Sequence, residues 1–195
     1  MGAFLTHSGS IAVYNADHVD TDRIIPARFL SMISRSGYGE LLFNDVRQND
    51  FPLDQPAARN ASVLVVGSNF GCGSSREHAV WALQQAGFKA IIARREGESP
   101  GYSDIFRSNA ANCGLLLIEL AGPAHAALVE SGSGTTITID LPNQTVSQGS
   151  NVYSFEINAT MKDALIRGLD LIGTTLEYAD AIQKYESTST AYTPK

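Results

Sequence analysis

Ser62-Val63-Leu64-Val65-Val66-Gly67-Ser68-Asn69-Phe70-Gly71-Cys72-Gly73-Ser74-Ser75-Arg76-Glu77-His78 decides how this chain folds. The run Ser62 to Val66 is apolar and β-branched, and it reads as a buried strand. Ala79-Val80-Trp81-Ala82-Leu83-Gln84-Gln85-Ala86 then reads as a helix that stops at Gly87. A glycine-rich loop therefore delivers Ser74, Ser75 and Arg76 to a helix N-terminus. Unbonded N–H groups and the positive end of the helix dipole favour an anion there. Arg76 adds a permanent charge with a planar fork that matches a carboxylate.

Ser74-x-x-Glu77 also fits a capping box, in which the serine hydroxyl accepts from a first-turn N–H and the glutamate reaches back. Ser75 fits a second cap. The glycines at 67, 71 and 73 argue for more than a cap, because they let a backbone turn sharply or approach a ligand closely. The pattern matches neither the dinucleotide nor the P-loop signature, since no lysine follows the last glycine.

Outward from this stretch, Lys89 to Ala93 reads as a second strand. Ser103 is placed to cap a helix ending at Gly114, and Leu115 to Ile118 follows as a third strand. Short apolar runs alternating with helices predict an α/β fold with a parallel sheet core and right-handed crossovers. Phe4 to Tyr14 reads as a strand, Asp17 to Pro26 as an irregular polar loop, and Phe43 to Arg59 as a long surface excursion. Beyond Pro123 comes a helix to Glu130, then Thr135 to Leu141 with the period-two alternation of an antiparallel strand. Pro142-Asn143 makes a turn, and Val152 to Ile157 supplies another strand. Met161, Ala164, Leu165, Leu169 and Ile172 recur at helical spacing, and Glu177 to Tyr185 reads as a last helix. The expectation is a single domain over residues 1–186 with a disordered polar tail over 187–195.

The 195 residues carry a formal net charge of −6, 44% hydrophobic and 17% charged side chains. Without a basic stripe to neutralise phosphates, nucleic acid is not an expected partner. No apolar run approaches the roughly 20 residues that span a bilayer, and Met1 to His7 lacks the basic and apolar regions of a secretory signal. Two cysteines, Cys72 and Cys113, are too few for a disulfide framework, so a cytoplasmic location is expected. They are also too few to hold an iron–sulfur cluster, and His7, His18 and His125 are scattered, so no metal site is expected in this chain.

The loop 67–78 as a whole resembles the active-site loop of the swivelling domain of the aconitase superfamily, and within it the small subunits of bacterial 3-isopropylmalate dehydratases. Asp20 to Leu30, Ser34 to Asp45, Ser103 to Asn112 and Phe155 to Gly173 are similar to further motifs of that family. The resemblance spans roughly residues 4–186, although Arg94 to Gly101 is several residues longer than the usual connection. It implies a swivelling β/β/α domain with C-terminal antiparallel strands and helices. It also implies a hydro-lyase of leucine biosynthesis that interconverts 2- and 3-isopropylmalate through isopropylmaleate.

By this match Ser74 is the catalytic base, Asp22 an acidic active-site residue, and Ser75 and Arg76 bind the substrate carboxylate. Arg35 lies where the family places a substrate-reading arginine, on a loop that Gly37 and Gly39 let close over the ligand. Taken without the match, Asp22 sits in a charged surface turn and Arg35 is an ordinary exposed arginine. His78 is expected to be a hydrogen-bonded structural residue, and Cys72 a packed small one. The resemblance places a [4Fe-4S] cluster on a large partner subunit, so this chain would be half of a heterodimer acting on a small dicarboxylate. A related hydro-lyase acting on citraconate or homoaconitate, a non-catalytic dicarboxylate-binding module and a cysteine enzyme built on Cys72 are the competing readings.

Overall fold

A computed structural model describes residues 2–32 and 34–188. Among these residues β1 (Thr6–Tyr14), β2 (Val63–Val66), β3 (Ala90–Arg95), β4 (Leu116–Ala121), β5 (Thr136–Asp140), β6 (Thr145–Gln148) and β7 (Asn151–Ser154) form one sheet. Its order is β4-β3-β2-β1-β5-β6-β7. β1 joins two kinds of pairing: its later residues run parallel to β2, with Ile11 opposite Val63 and Tyr14 opposite Val66. Its earlier residues run antiparallel to β5, with Thr6 opposite Asp140 and Ser10 opposite Thr136. The parallel half is therefore β1 to β4, and the antiparallel half is β5 to β7.

All four residues of β2 are buried, as a central strand covered on both faces requires. Successive side chains point to opposite faces. Leu64 and Val66 join one core with Ile91, Phe70 and Phe106, under α2 (Glu77–Gln85) and α3 (Asp104–Cys113). Val63 and Val65 join the other with Ile92, Ile118, Leu128 and Leu165, under α4 (Gly122–Ser131) and α5 (Ala159–Arg167).

Most elements agree with the sequence reading to within a few residues. Ser103 accepts from the Phe106 N–H as the α3 cap, and Gly114 ends that helix at a left-handed backbone angle. Four elements differ. The loop after β1 contains a short helix, α1 (Thr21–Ile24), because Asp20 caps it by accepting from the Arg23 N–H at 2.7 Å. The excursion 43–59 is mostly exposed but pinned to the core: Phe43 and Phe51 are buried, and their rings pack on Tyr14 at 4.9 and 5.3 Å. β6 carries one apolar residue, Val146, too weak a pattern to read as a strand. α6 (Leu171–Leu176) is nucleated by Asp170, which accepts from the Gly173 N–H at 2.6 Å. A last helix, α7, covers Ala179–Thr188, so the polar end is helical that far, and residues 189–195 of the expected tail lie outside the described residues.

Candidate active site

Because β1 and β2 are parallel, the loops that follow them leave the same edge of the sheet, where open α/β sheets bind ligands. The two loops zip together. The His18 N–H donates to the Ser68 carbonyl at 2.9 Å, Gly71 to Val19 at 2.8 Å, and Thr21 to Cys72 at 3.0 Å. Asp17 accepts from the Ser68 N–H at 2.7 Å, and the Thr21 hydroxyl donates to the Ser74 carbonyl at 2.9 Å. His18 and Asn69 both hold positive φ angles, 53° and 52°, and their side chains bond to each other at 3.0 Å.

The far side of the glycine-rich loop rests on the connection 94–101. Asn69 and Phe70 donate to the Pro100 and Gly101 carbonyls at 3.1 and 2.8 Å. Glu96 and Ser99 close that connection into a tight turn. Gly71 has φ +74°, and a Cβ on it would stand 2.2 Å from the Phe106 ring. No side chain fits there, so this glycine is dictated by both conformation and space.

The capping box does not form. The N-cap of α2 is Arg76, with extended backbone and no side-chain cap, and Ser74 lies two residues upstream. Ser74 and Ser75 are exposed, and neither hydroxyl has a hydrogen-bond partner among the described residues. The first N–H groups of α2 thus face the loop without a side-chain cap, as an anion site requires. Arg76 pairs with Asp22, 54 positions away. Its side chain is 16% exposed against 56% for Asp22, so the guanidinium is walled in while the carboxylate looks outward. The hydrogen bond from Arg76, aided by its charge, holds the Asp22 carboxyl below the usual carboxylate range.

Of the residues singled out from sequence, the fold thus gathers Asp22, Ser74, Ser75 and Arg76. Arg35 stands apart from them: its guanidinium lies 5.1 Å over the Trp81 ring. It lines a cleft of about 480 Å³ with Glu77, Trp81, Cys113, Asp170 and Ile172, which begins one residue beyond Arg76. His78 has no ring hydrogen bond among the described residues and is packed instead, its ring centroid 5.4 Å from that of Tyr38 and 4.6 Å from that of Trp81. Burial, together with Asp20, pushes the Cys72 thiol up, against a nucleophile role. Burial and the bond from Cys113 Sγ to Glu77 at 3.2 Å push the Cys113 thiol up to about 12. Among the described residues no group of three or more His, Cys, Asp or Glu side chains is arranged to hold a metal ion.

Three supporting residues left no readable mark in the sequence. Arg94 donates to Asp17 at 2.7 Å and steadies the loop after β1. Thr21 is buried and ties that loop to Ser74. Gln85 bonds the backbone on both sides of Gly37. Each partnership joins distant segments, and only the residue types, all common on surfaces, were visible beforehand.

Comparison with known proteins shows the family. Residues 1–123 match the family described as the aconitase C-terminal domain, and residues 126–159 match the one described as LeuD_N. A 3-isopropylmalate dehydratase small subunit of Listeria monocytogenes is 45% identical over 187 residues, covering 92% of this chain and 94% of its own. One of Francisella tularensis subsp. novicida is 45% identical over 183 residues, covering 92% and 93%. The crystal structure of a 3-isopropylmalate dehydratase (LeuD) from Methanocaldococcus jannaschii superposes with a TM-score of 0.68 at 28% identity, covering 93% of this chain and 99% of that one. On identity sustained over nearly its whole length, the chain belongs to the family of 3-isopropylmalate dehydratase small subunits, within the aconitase superfamily.

Proposed function

We propose that this chain is the substrate-holding half of a 3-isopropylmalate dehydratase, interconverting 2- and 3-isopropylmalate by dehydration and rehydration through isopropylmaleate. The observation that carries the reading is the meeting of Asp22 and Arg76 beside the free hydroxyls of Ser74 and Ser75, at an uncapped helix N-terminus. It works in the cytoplasm with a large subunit. A [4Fe-4S] cluster expected on that subunit would supply a Lewis acid for departure of hydroxide, and the two cysteines of this chain are too few to hold one.

The chain's own residues do the following. A substrate carboxylate sits at the first turn of α2, gripped by Arg76 and the Ser75 hydroxyl. Asp22 occupies one nitrogen of Arg76 and so orients the fork. Ser74 Oγ takes a proton from the carbon next to that carboxylate. A serine alkoxide is costly in water, and the unbonded N–H groups and positive end of α2 lower that cost. Arg35 reads the other end of the substrate from the neighbouring cleft. The open face of Ser74 and Ser75 is closed by the large subunit, which excludes water from the reacting carbon.

The test is anaerobic assembly with a cluster-bearing large subunit, followed by an isomerisation assay. Activity is expected from the complex and not from this chain alone. Ser74→Ala in the complex should cut kcat by about a hundred- to ten-thousand-fold with KM little changed, as loss of a general base does. A kcat within a fewfold of the parent would remove Ser74 from the chemistry.

A further inference from the structure

One side chain fastens the loop that bears Arg35 to α2. Gln85 donates from Nε2 to the Arg35 carbonyl at 2.7 Å and accepts at Oε1 from the Tyr38 N–H at 2.9 Å. Its amide thus brackets residues 35 to 38, where the chain reverses through Gly37 at φ 96°. Just beyond, Gly39 approaches so closely that a Cβ on it would stand 2.6 Å from the Gln85 carbonyl. Tyr38 is fully buried, with its ring centroid 5.9 Å from that of Trp81. His78, Trp81 and Gln85 share one face of α2, being three and four residues apart. That face holds Tyr38 by its ring, Arg35 by its guanidinium and the loop backbone by hydrogen bonds.

We propose that Gln85 is a positioning residue that presets the Arg35 loop in its substrate-reading conformation. The inference rests on the reading of Arg35 given above. α2 then works as a rigid rule, with the carboxylate grip at its N-terminus and the specificity loop clamped near its C-terminal end. At roughly 1.5 Å per residue, the nine-residue helix fixes the spacing between the two. The physical gain is that folding, not substrate, bears the entropy of ordering the loop. Loss of the clamp should therefore weaken substrate binding in ground and transition state alike, which raises KM and spares kcat.

The experiment compares Gln85→Leu, Arg35→Ala and the double variant, each in the full chain assembled with the large subunit. Gln85→Leu should raise KM for 3-isopropylmalate about five- to tenfold, the equivalent of one or two net hydrogen bonds, with kcat within twofold. The double variant should be no worse than Arg35→Ala, because Gln85 acts through Arg35. Gln85→Glu keeps the acceptor for Tyr38 but loses the donor to Arg35, and should show the same KM defect should the leucine variant fold poorly. Trp81 is the only tryptophan, so acrylamide quenching of its emission in the isolated chain reports the loop directly. Quenching should rise in Gln85→Leu while far-ultraviolet circular dichroism stays unchanged.

Unchanged KM in both Gln85 variants, with a raised KM in Arg35→Ala, would overturn the positioning role and leave the Arg35 reading standing. Parent kinetics in Arg35→Ala would sink both. Additive defects in the double variant, or a fall in kcat at constant KM, would also overturn the proposal.

Discussion

Arg76 does two jobs at one position. Its backbone ends the glycine-rich loop as the N-cap of α2, and its side chain holds Asp22. Asp22→Asn removes the charge that orients the fork. In the complex it should raise KM and lower kcat together, without loss of folding, since Asp22 is largely exposed. Steady-state kinetics beside a melting curve would separate the two effects, and a melting temperature well below the parent's would contradict this. Gly71 offers a sharper test of the loop. Gly71→Ala faces a positive φ and the Phe106 ring. It should destabilise by about 2–5 kcal/mol, from the left-handed backbone cost together with overpacking. Denaturant titration of the isolated chain measures it, and a loss under 1 kcal/mol would mean the loop yields easily.

Among the elements, α4 is anchored to the sheet by His125. Its Nε2 lies 2.6 Å from the Val66 carbonyl, at the end of β2 where the active-site loop begins. The ring is buried, and burial lowers its pKa below the usual histidine value despite the bond to Val66. The unfolded chain therefore takes up this proton first as pH falls. The stabilisation is fully present above about pH 6.5 and is lost as pH drops from there through the lowered folded value. Melting temperature should fall between pH 8 and pH 5.5, and His125→Gln should flatten part of that slope while keeping a donor for Val66. His7, also lowered by burial and by Lys89, carries another part. An identical slope in His125→Gln would show that His125 is not the titrating group. The connection 94–101 has an element-scale role as well: its backbone braces Asn69 and Phe70 from behind.

Across the whole molecule, stability is concentrated in the sheet and its two cores. No residue of α7 is buried, and Tyr178, Ile182 and Tyr185 stand exposed. A chain ended after Tyr178 should melt within about 2 °C of the full chain, because little apolar area leaves water-free packing. A drop of 10 °C would show that the helix supports the core after all.

Much of the fold could be read locally. The strand–loop–helix unit at 62–86, the Ser103 cap, the Gly114 stop and the period-two strand at 135–141 are each encoded by neighbours in sequence, through hydrophobic period, capping and glycine conformation. Likewise Ser74-Ser75-Arg76 stood out in sequence as the proposed carboxylate grip. The burial of Phe43 and Phe51 and the strand β6 were not plain, because each depends on a tertiary neighbour rather than on its own pattern. The same holds for the site. Ser74-x-x-Glu77 spells a cap, yet the helix begins two residues later: Thr21 from the other loop holds the Ser74 carbonyl, and the backbone is still extended at Arg76. The sequence alone thus determined the family motifs and the local elements of this chain, since residue type and local conformation are set by short-range terms. Only the tertiary structure decided that Asp22 meets Arg76 and that Gln85 grips the Arg35 loop. Those contacts join positions about fifty residues apart, and their partners are chosen by strand register and packing, which no local window contains.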